Sequence, residues 1–321
     1  MTKKQHKVLI IKVGYSETLD AEISTITSFG DVLRSTVLLN LYKDDHVTWL
    51  VDEKALPILQ GNPYIDRILI YNLTSVLQLQ AERFDTVINL EKVPGLCALA
   101  DSINAWRRYG FRLDVNSGEA EAYDRSHDAL EGCRNIDTKR NRELYWQESL
   151  YEMVGARWDK EEYVLGYKPK TKEQYDIGFN YQVGNKWPLK SWPMPYWKEL
   201  EEKAGKKYSI SWQKGIDNME DYFDWINSCR LLVTNDSFGF HIAVALKKKV
   251  VVIFGPTRHR ENYLYDLGTS LYLKDLKCEH YPCRLDTCPI YKDGCVSQVP
   301  VSDVMSQIDK ILLESNYAKS H

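Results

Sequence analysis

The stretch Leu231–Thr257, LLVTNDSFGFHIAVALKKKVVVIFGPT, joins two short apolar runs through a polar turn and a brief apolar segment. Runs this short and this uniformly apolar fit strands covered on both faces, so the stretch reads as strand, turn, short helix and second strand of a parallel sheet. A sheet of that kind binds ligands outside the carboxyl ends of its strands. Asn235–His241 and Gly255–Arg258 then lie side by side at that edge. A helix opening on Asp236 and Ser237 turns free N–H groups and a partial positive charge toward it, which suits a diphosphate.

The 321 residues are enough for two such layers, each with its own core. A net charge of -3 argues against nucleic acid as the partner, and the basic spots at Lys3, Lys4, His6 and Lys7 and at Lys247–Lys249 read as solvated surface. No apolar run approaches the ~20 residues that span a bilayer, and MTKKQHKVLI leads straight into a strand. The expectation is a cytoplasmic chain. Of seven cysteines, Cys97, Cys133 and Cys229 are scattered and read as free thiols of a reducing compartment.

Taken in order, strands are expected at Lys7–Lys12, Val47–Val51, Ile68–Tyr71 and Thr86–Leu90, with helices between them. A polar segment, Gly14–Ser28, delays the first helix, for which Asp31 is placed as N-cap. Asp114–Thr138 reads as loop, and a helix over about 143–154 closes the first domain. After the charged, proline-bearing linker Tyr167–Lys172 the pattern restarts. Strands Ile177–Asn180 and Tyr208–Trp212 alternate with helices Pro195–Ala204 and Met219–Cys229, the opening stretch follows, and Ser302 caps a last helix with Val304, Ile308, Ile311 and Leu312 as its apolar stripe. The expected architecture is α/β: two Rossmann-like domains facing across a cleft, 1–168 and 173–300, with 301–321 as a C-terminal helix and tail.

Several stretches, in a fixed order, resemble one family. They are Gly30-Asp31-Val32-Leu33-Arg34, Trp49-Leu50-Val51-Asp52-Glu53, Gly61-Asn62-Pro63-Tyr64-Ile65-Asp66, Lys190-Ser191-Trp192-Pro193, Thr234-Asn235-Asp236-Ser237 with His241, and Phe254-Gly255-Pro256-Thr257. Together they are similar to the ADP-heptose heptosyltransferases of bacterial lipopolysaccharide assembly, inverting glycosyltransferases of glycosyltransferase family 9 with the two-domain GT-B fold. The resemblance implies an acceptor-binding N-terminal domain and a C-terminal domain for a nucleotide-sugar donor, ADP-heptose above others. It makes Asp31 the general base that takes the acceptor hydroxyl's proton. The bland reading of Asp31, a helix cap, stands beside it.

By the same resemblance Lys190 contacts the donor phosphates, with Trp192, Asp236, Ser237, Phe238, Gly239, His241, Gly255 and Thr257 around the donor; helical spacing puts Ser237 and His241 one turn apart. One departure is visible. The family pattern Asp-Ser/Thr-Gly-Leu-x-His appears here as Asp236-Ser237-Phe238-Gly239-Phe240-His241, with the glycine one position late, so a bulky Phe238 stands where the backbone would approach a phosphate. On the acceptor side Lys12 and Arg34 match, but Val13–Phe29 intervenes between the lysine and the Gly-Asp turn, so Tyr15, Glu17 and Asp20 are expected to shape the acceptor pocket. The implied acceptor is a glycan, glycolipid or glycosylated molecule, which allows peripheral residence at an inner membrane.

Transfer in this family needs no metal cofactor. Cys278, Cys283, Cys288 and Cys295 nevertheless form C-x4-C-x4-C-x6-C with His280 inside, a set open to three readings: a structural zinc or iron site, free thiols, or disulfides. A branch of the family that glycosylates autotransporter proteins has a similar segment with a structural iron. Two alternatives to heptosyl transfer remain at this level: the same fold with another nucleotide-sugar donor and a protein or small-molecule acceptor, and a sugar-nucleotide epimerase or non-catalytic nucleotide-sugar binder.

Overall fold

The computed structural model describes residues 5–15, 19, 22–283 and 285–319, with side chains described as far as 314. The chain forms two compact units, 1–167 and 168–321.

In the first unit the strands are β1 (Lys7–Ile11), β2 (His46–Val51), β3 (Arg67–Ile70), β4 (Arg83–Asn89), β5 (Asn104–Leu113) and β6 (Ala120–Ala122). They lie side by side in the order β3-β2-β1-β4-β5-β6, parallel except for the β5–β6 pair. The helices are α1 (Phe29–Ser35), α2 (Leu56–Leu59), α3 (Leu73–Ala81), α4 (Pro94–Ser102), α5 (His127–Arg134), α6 (Ile136–Asn141) and α7 (Trp146–Met153). β1 is central because Val8 to Ile11 are all apolar and wholly buried, a pattern that only a strand flanked and covered on every side can satisfy. One face packs Leu9, Ile11 and Val87 against Leu96, Leu99 and Ala100 of α4.

The second unit has β7 (Tyr175–Asn180), β8 (Ile210–Trp212), β9 (Cys229–Asn235), β10 (Lys249–Ile253) and β11 (Gly268–Leu271), all parallel in the order β11-β10-β9-β7-β8. Its helices are α8 (Met194–Ala204), α9 (Met219–Asn227), α10 (Phe238–Ala245) and α11 (Val301–Lys319). Phe179, Trp192, Trp197 and Ile253 share one core with Val304, Ile308 and Leu312 of α11. The last helix is therefore built into the second unit's core.

Both sheets reverse direction once. β2 and β3 are laid down on one side of β1 and β4 on the other; β8 lies on one side of β7 and β9 on the other. Crevices open at such reversals because the two crossovers leave the carboxyl ends of the adjacent strands uncovered. The segments after β1 and β4, and those after β7 and β9, are thereby singled out before any side chain is considered.

Three local readings change. Asp114–Thr138 is structured, holding β6 and helices α5 and α6; its polarity reflects short elements at a sheet edge with little to bury. Asp31 is not the cap of α1: Ser28 holds that position, with the Val32 N–H reaching its carbonyl at 3.3 Å, and Asp31 sits inside the first turn. Ser302 lies within the first turn of α11, which begins at Val301. Among the described residues no helix is long and apolar enough to cross a membrane.

Because Ile308 is wholly buried against the sheet, Ile308→Ala should lower the stability of the second unit by about 2–4 kcal/mol. Urea unfolding followed through the tryptophans checks this. A loss under about 0.5 kcal/mol, as expected for a loosely attached tail, would contradict the shared core.

Candidate functional site

In the first unit the chain leaving β1 is held by a carboxylate from the end of β4. Glu91 is wholly buried, and its Oε1 accepts the N–H of Gly14 at 2.7 Å and of Tyr15 at 3.1 Å. The Lys12 ammonium stands 3.3 Å from the same oxygen and donates to the Tyr15 carbonyl. A buried charge is tolerated only when it is paired and hydrogen-bonded; Lys12 and two backbone donors meet that demand at Oε1, while Oε2 is buried with no hydrogen-bond partner among the described residues. The Tyr15 hydroxyl donates to Asp52 after β2 at 2.8 Å, and its ring meets Tyr71 edge-on at 6.2 Å. Burial and Asp52 together push the Tyr15 phenol above its ordinary range. Gly14 has φ +104, and a side chain there would press on Thr27 and Val32. The ends of β1, β2 and β4 are thus tied into one polar floor.

Asp31 opens onto the same end of the sheet from the first turn of α1. It is 7% exposed and forms an ion pair with Arg34, whose guanidinium lies over the Trp146 ring of α7 at 4.4 Å. The Asp31 carbonyl accepts the Ser35 hydroxyl at 2.7 Å. The arginine held flat on an indole fixes the carboxylate from one side. Glu17 and Asp20 lie outside the described residues.

In the second unit the centre is Asp236, at the end of β9. Its Oδ2 accepts the Thr257 hydroxyl at 2.6 Å and stands 3.0 Å from the Lys190 ammonium. Burial works against its ionisation, but Lys190, Thr257 and the nearby His241 outweigh it and hold the carboxyl at about 2. Asn235 braces the same corner, with its amide N–H donated to the Tyr181 carbonyl after β7 at 2.7 Å and its amide oxygen accepting the Trp192 N–H at 3.0 Å. Lys190, Asp236 and Thr257 therefore come together from three separate loops. Beside them Ser237 is the N-cap of α10, and its hydroxyl accepts from the Asn180 amide at 2.9 Å.

The remaining expected residues divide by what their side chains touch. The Trp192 side chain is turned into the core. It is 1% exposed, packs edge-on with Tyr196 and Trp197, and donates its indole N–H to the Val299 carbonyl at 3.0 Å, so it anchors the Lys190 loop from inside the core. Gly255 serves packing too, since a side chain there would meet Val296 at 2.7 Å and the Leu189 carbonyl at 3.2 Å. His241 is buried against Phe240, ring centroids 4.5 Å apart. The Phe238 ring lies 6.0 Å from Tyr222 and 6.2 Å from Phe223 on α9, and Gly239 faces Asn180 and Tyr222.

The sequence reading passed over Glu91, Asn180 and Tyr222. A signal existed for the first two: each is a polar residue at the carboxyl end of a buried run, TVINLE and DIGFN, where nothing but a partner or a ligand justifies it. Tyr222 shows no such signal among the aromatics of α9.

The four clustered cysteines line one small cavity of about 20 Å3 with His280, Leu189 and Pro256. All four are free thiols. Burial, and then the proximity of Cys283, Cys288 and Cys278, push the Cys295 thiol up to about 12, and Cys283 is raised for the same reasons. Among the described residues no three metal-ligating side chains stand in a coordinating group. The donor set, four sulfurs lining one small cavity, is nonetheless what a thiophilic cation takes.

Residues 217–291, which hold Asp236, Ser237 and Thr257, match the sequence model of glycosyltransferase family 9 (heptosyltransferase). That segment, under a quarter of the chain, is what the chain shares with the family model. Lipooligosaccharide heptosyltransferase 2 of Campylobacter jejuni serotype O:6 is 34% identical over 84 residues, 26% of each chain. Lipopolysaccharide heptosyltransferase 1 of Campylobacter coli is 24% identical over 351 aligned positions, 90% of this chain and 98% of that one. The matched stretch spans about a quarter of the length of the C. jejuni relatives. Among solved structures, the ADP-heptose lipopolysaccharide heptosyltransferase II of E. coli superposes with a TM-score of 0.68 at 14% identity over 97% of this chain and 99% of that one. The iron-containing dodecameric heptosyltransferase TibC of enterotoxigenic E. coli, in complex with ADP-D-β-D-heptose, gives 0.58 at 12% identity over 98% and 77%. These likenesses identify the fold as GT-B.

Asp236 makes the second unit acid-sensitive in a defined window. Its folded pKa of about 2 lies below the ordinary 3.8, so its contribution is fully present above pH 3.8 and is lost as pH falls toward 2. The expected contribution is about 2 kcal/mol. Melting curves of the wild type and of Asp236→Asn between pH 6 and 2.5 check the sign: the gap between them should close as pH drops, and a constant gap would contradict it.

Proposed function

We propose that the chain is an inverting glycosyltransferase that moves a heptose, or a related sugar, from an ADP-sugar to a hydroxyl of a glycan or glycolipid acceptor. The observation that carries this reading is the Lys190–Asp236–Thr257 corner beside the start of α10, at the strand-order reversal of the unit that matches family 9. In support, two structural neighbours are complexes, the E. coli heptosyltransferase WaaC with ADP and TibC with ADP-D-β-D-heptose.

The chemistry follows from the residues. The acceptor oxygen attacks the anomeric carbon as the bond from that carbon to the diphosphate oxygen breaks, which inverts the centre. Asp31 takes the hydroxyl proton as general base. The departing diphosphate gains negative charge, and Lys190, the first-turn N–H groups of α10 and the Ser237 hydroxyl stabilise it without a metal. Asp236 sets where the lysine stands. Lys12, Tyr15 and Arg34 shape the acceptor side; burial of Lys12 and Arg34 in fixed ion pairs, with the neutral Tyr15 hydroxyl donated to Asp52, gives a floor that does not rearrange when the acceptor arrives.

Calorimetry with ADP, UDP and GDP, followed by transfer assays, tests the reading. ADP alone should bind; Lys190→Ala should weaken it about tenfold or more. Asp31→Asn should leave ADP affinity intact and lower kcat by about a hundredfold or more. Preference for UDP or GDP, or transfer undiminished in Asp31→Asn, would overturn it.

The cysteine cavity is proposed as a structural site for zinc or iron, held by Cys278, Cys283, Cys288 and Cys295 and taking no part in transfer. A bound dication would stabilise the thiolates that burial disfavours. Metal analysis of purified protein should find one equivalent, lost in Cys283→Ser. Metal-free wild type would reject the site.

A further inference from the structure

One hydrogen-bond chain beneath the start of α10 runs in a forced direction. The Thr234 hydroxyl donates its single proton to the Asn235 carbonyl at 2.7 Å. Toward Asn180, 2.7 Å away, it can therefore only accept, so the Asn180 amide must present its NH2 group on that side. The same NH2 group faces Ser237 Oγ at 2.9 Å, and Ser237 must accept as well. The amide oxygen then points the other way, where it accepts the Tyr222 hydroxyl at 2.7 Å. Asn180 and Thr234 are wholly buried and Tyr222 is 4% exposed, so no water competes for these positions. Burial raises the Tyr222 phenol far above its ordinary range, which keeps its donor proton in place.

The end of this chain is a hydroxyl with a proton to spare. Among the described residues Ser237 Oγ donates to no acceptor, and although it is the N-cap residue it makes no side-chain bond to its own helix. We infer that Tyr222 and Asn180 are positioning residues that make Ser237 an obligate donor toward the diphosphate of the bound nucleotide sugar, an inference that rests on the function proposed above. A diphosphate oxygen is acceptor-only, so a hydroxyl already committed as acceptor on its protein side is matched to it.

The displaced glycine belongs to the same device. A Cβ on residue 239 would stand 2.3 Å from the Tyr222 hydroxyl and 2.5 Å from Asn180 Nδ2. Position 239 is glycine because the Tyr222–Asn180 bond passes directly under the helix there. The one-residue shift against the family pattern is explained by this packing, with no change of donor required.

Calorimetric titration of the full chain with ADP and, separately, adenosine tests the inference on wild type, Tyr222→Phe, Ser237→Ala and the double variant. Tyr222→Phe leaves the buried amide oxygen without its donor, so the amide gains by turning that oxygen toward Thr234, which re-aims its proton from the Asn235 carbonyl to meet it; ADP should bind about tenfold more weakly while adenosine is unaffected. Ser237→Ala should show the same split, and the double variant should be no weaker than Ser237→Ala, because the tyrosine acts through the serine. Should Tyr222→Phe fail to fold, Asn180→Asp gives the same reading: a carboxylate cannot donate to Ser237, and ADP affinity should fall with adenosine binding retained. Unchanged ADP affinity in Tyr222→Phe, additive losses in the double variant, or equal losses for ADP and adenosine would each overturn the positioning role. Wild type that binds no ADP would sink the proposed function itself, which separates the two failures.

Discussion

A carboxylate is hard to bury, and the second unit is arranged around the burial of one. Asp236 sits almost out of reach of water at the end of β9, and alone it would have to give up its charge. It stays ionised because Lys190 and Thr257 are delivered to it from two other loops. That requirement explains neighbours that otherwise look incidental. Trp192 is sunk in the core to hold the Lys190 loop, Asn235 ties that loop to the chain leaving β7, and Gly255 lets the Thr257 loop pass close to Leu189. Removing Lys190 would therefore do two things at once: take a cation from the diphosphate proposed to bind there and leave a buried anion uncompensated.

The first unit solves the same problem with different parts. Glu91 is buried at the end of β4, and its charge is met by Lys12 and by two backbone N–H groups of the segment leaving β1. The comparison shows a common logic in the two sheets. At each strand-order reversal a buried carboxylate recruits a lysine and fixes the loop that follows the adjacent strand. The acids differ in what they hold: Glu91 fixes backbone, whereas Asp236 fixes a lysine and a threonine. Asp31 belongs to neither pattern. Its partner Arg34 comes from the next turn of its own helix and is steadied by an aromatic ring, so its buried carboxylate is oriented locally, within one helix.

Much of this was legible in the residues. The short apolar runs announced the strands because a central parallel strand has no polar face to show, as in Val8–Ile11 and Val250–Ile253. The turn residues Asp236, Ser237 and Thr257 were marked by their place after such runs. What escaped was whatever depends on tertiary packing. Trp192 was expected at the donor because Lys190-Ser191-Trp192-Pro193 resembles a family motif, yet an indole beside a loop and an indole inside a core are the same letters. Asp31 looked like a cap because capping is decided by the backbone at Ser28, two turns of argument away from the carboxylate. Asp114–Thr138 looked like loop because its elements are too short to carry a periodic pattern. Tyr222 could not be found at all, since its meaning lies in a bond to a strand 42 residues away.

The cysteine segment bears on the Lys190–Asp236–Thr257 corner through contacts that hold whichever occupant the cavity has. The Cys283 N–H donates to the Pro256 carbonyl at 2.9 Å and the Tyr281 hydroxyl to the Thr257 carbonyl at 3.3 Å, so the loop that presents Thr257 to Asp236 is pinned from the cysteine side. Leu189, next to Lys190, lines the cavity itself and packs against Gly294 just before Cys295. Two of the three side chains that neutralise Asp236 thus rest on the walls of the thiol cavity. A cluster that closed around a cation would stiffen those walls, and one that lost a thiol would loosen them, without any sulfur approaching the sugar. A structural role for the cysteines and an effect on the proposed donor site are then one physical statement: the geometry of the buried carboxylate is only as fixed as the loops that bring its partners.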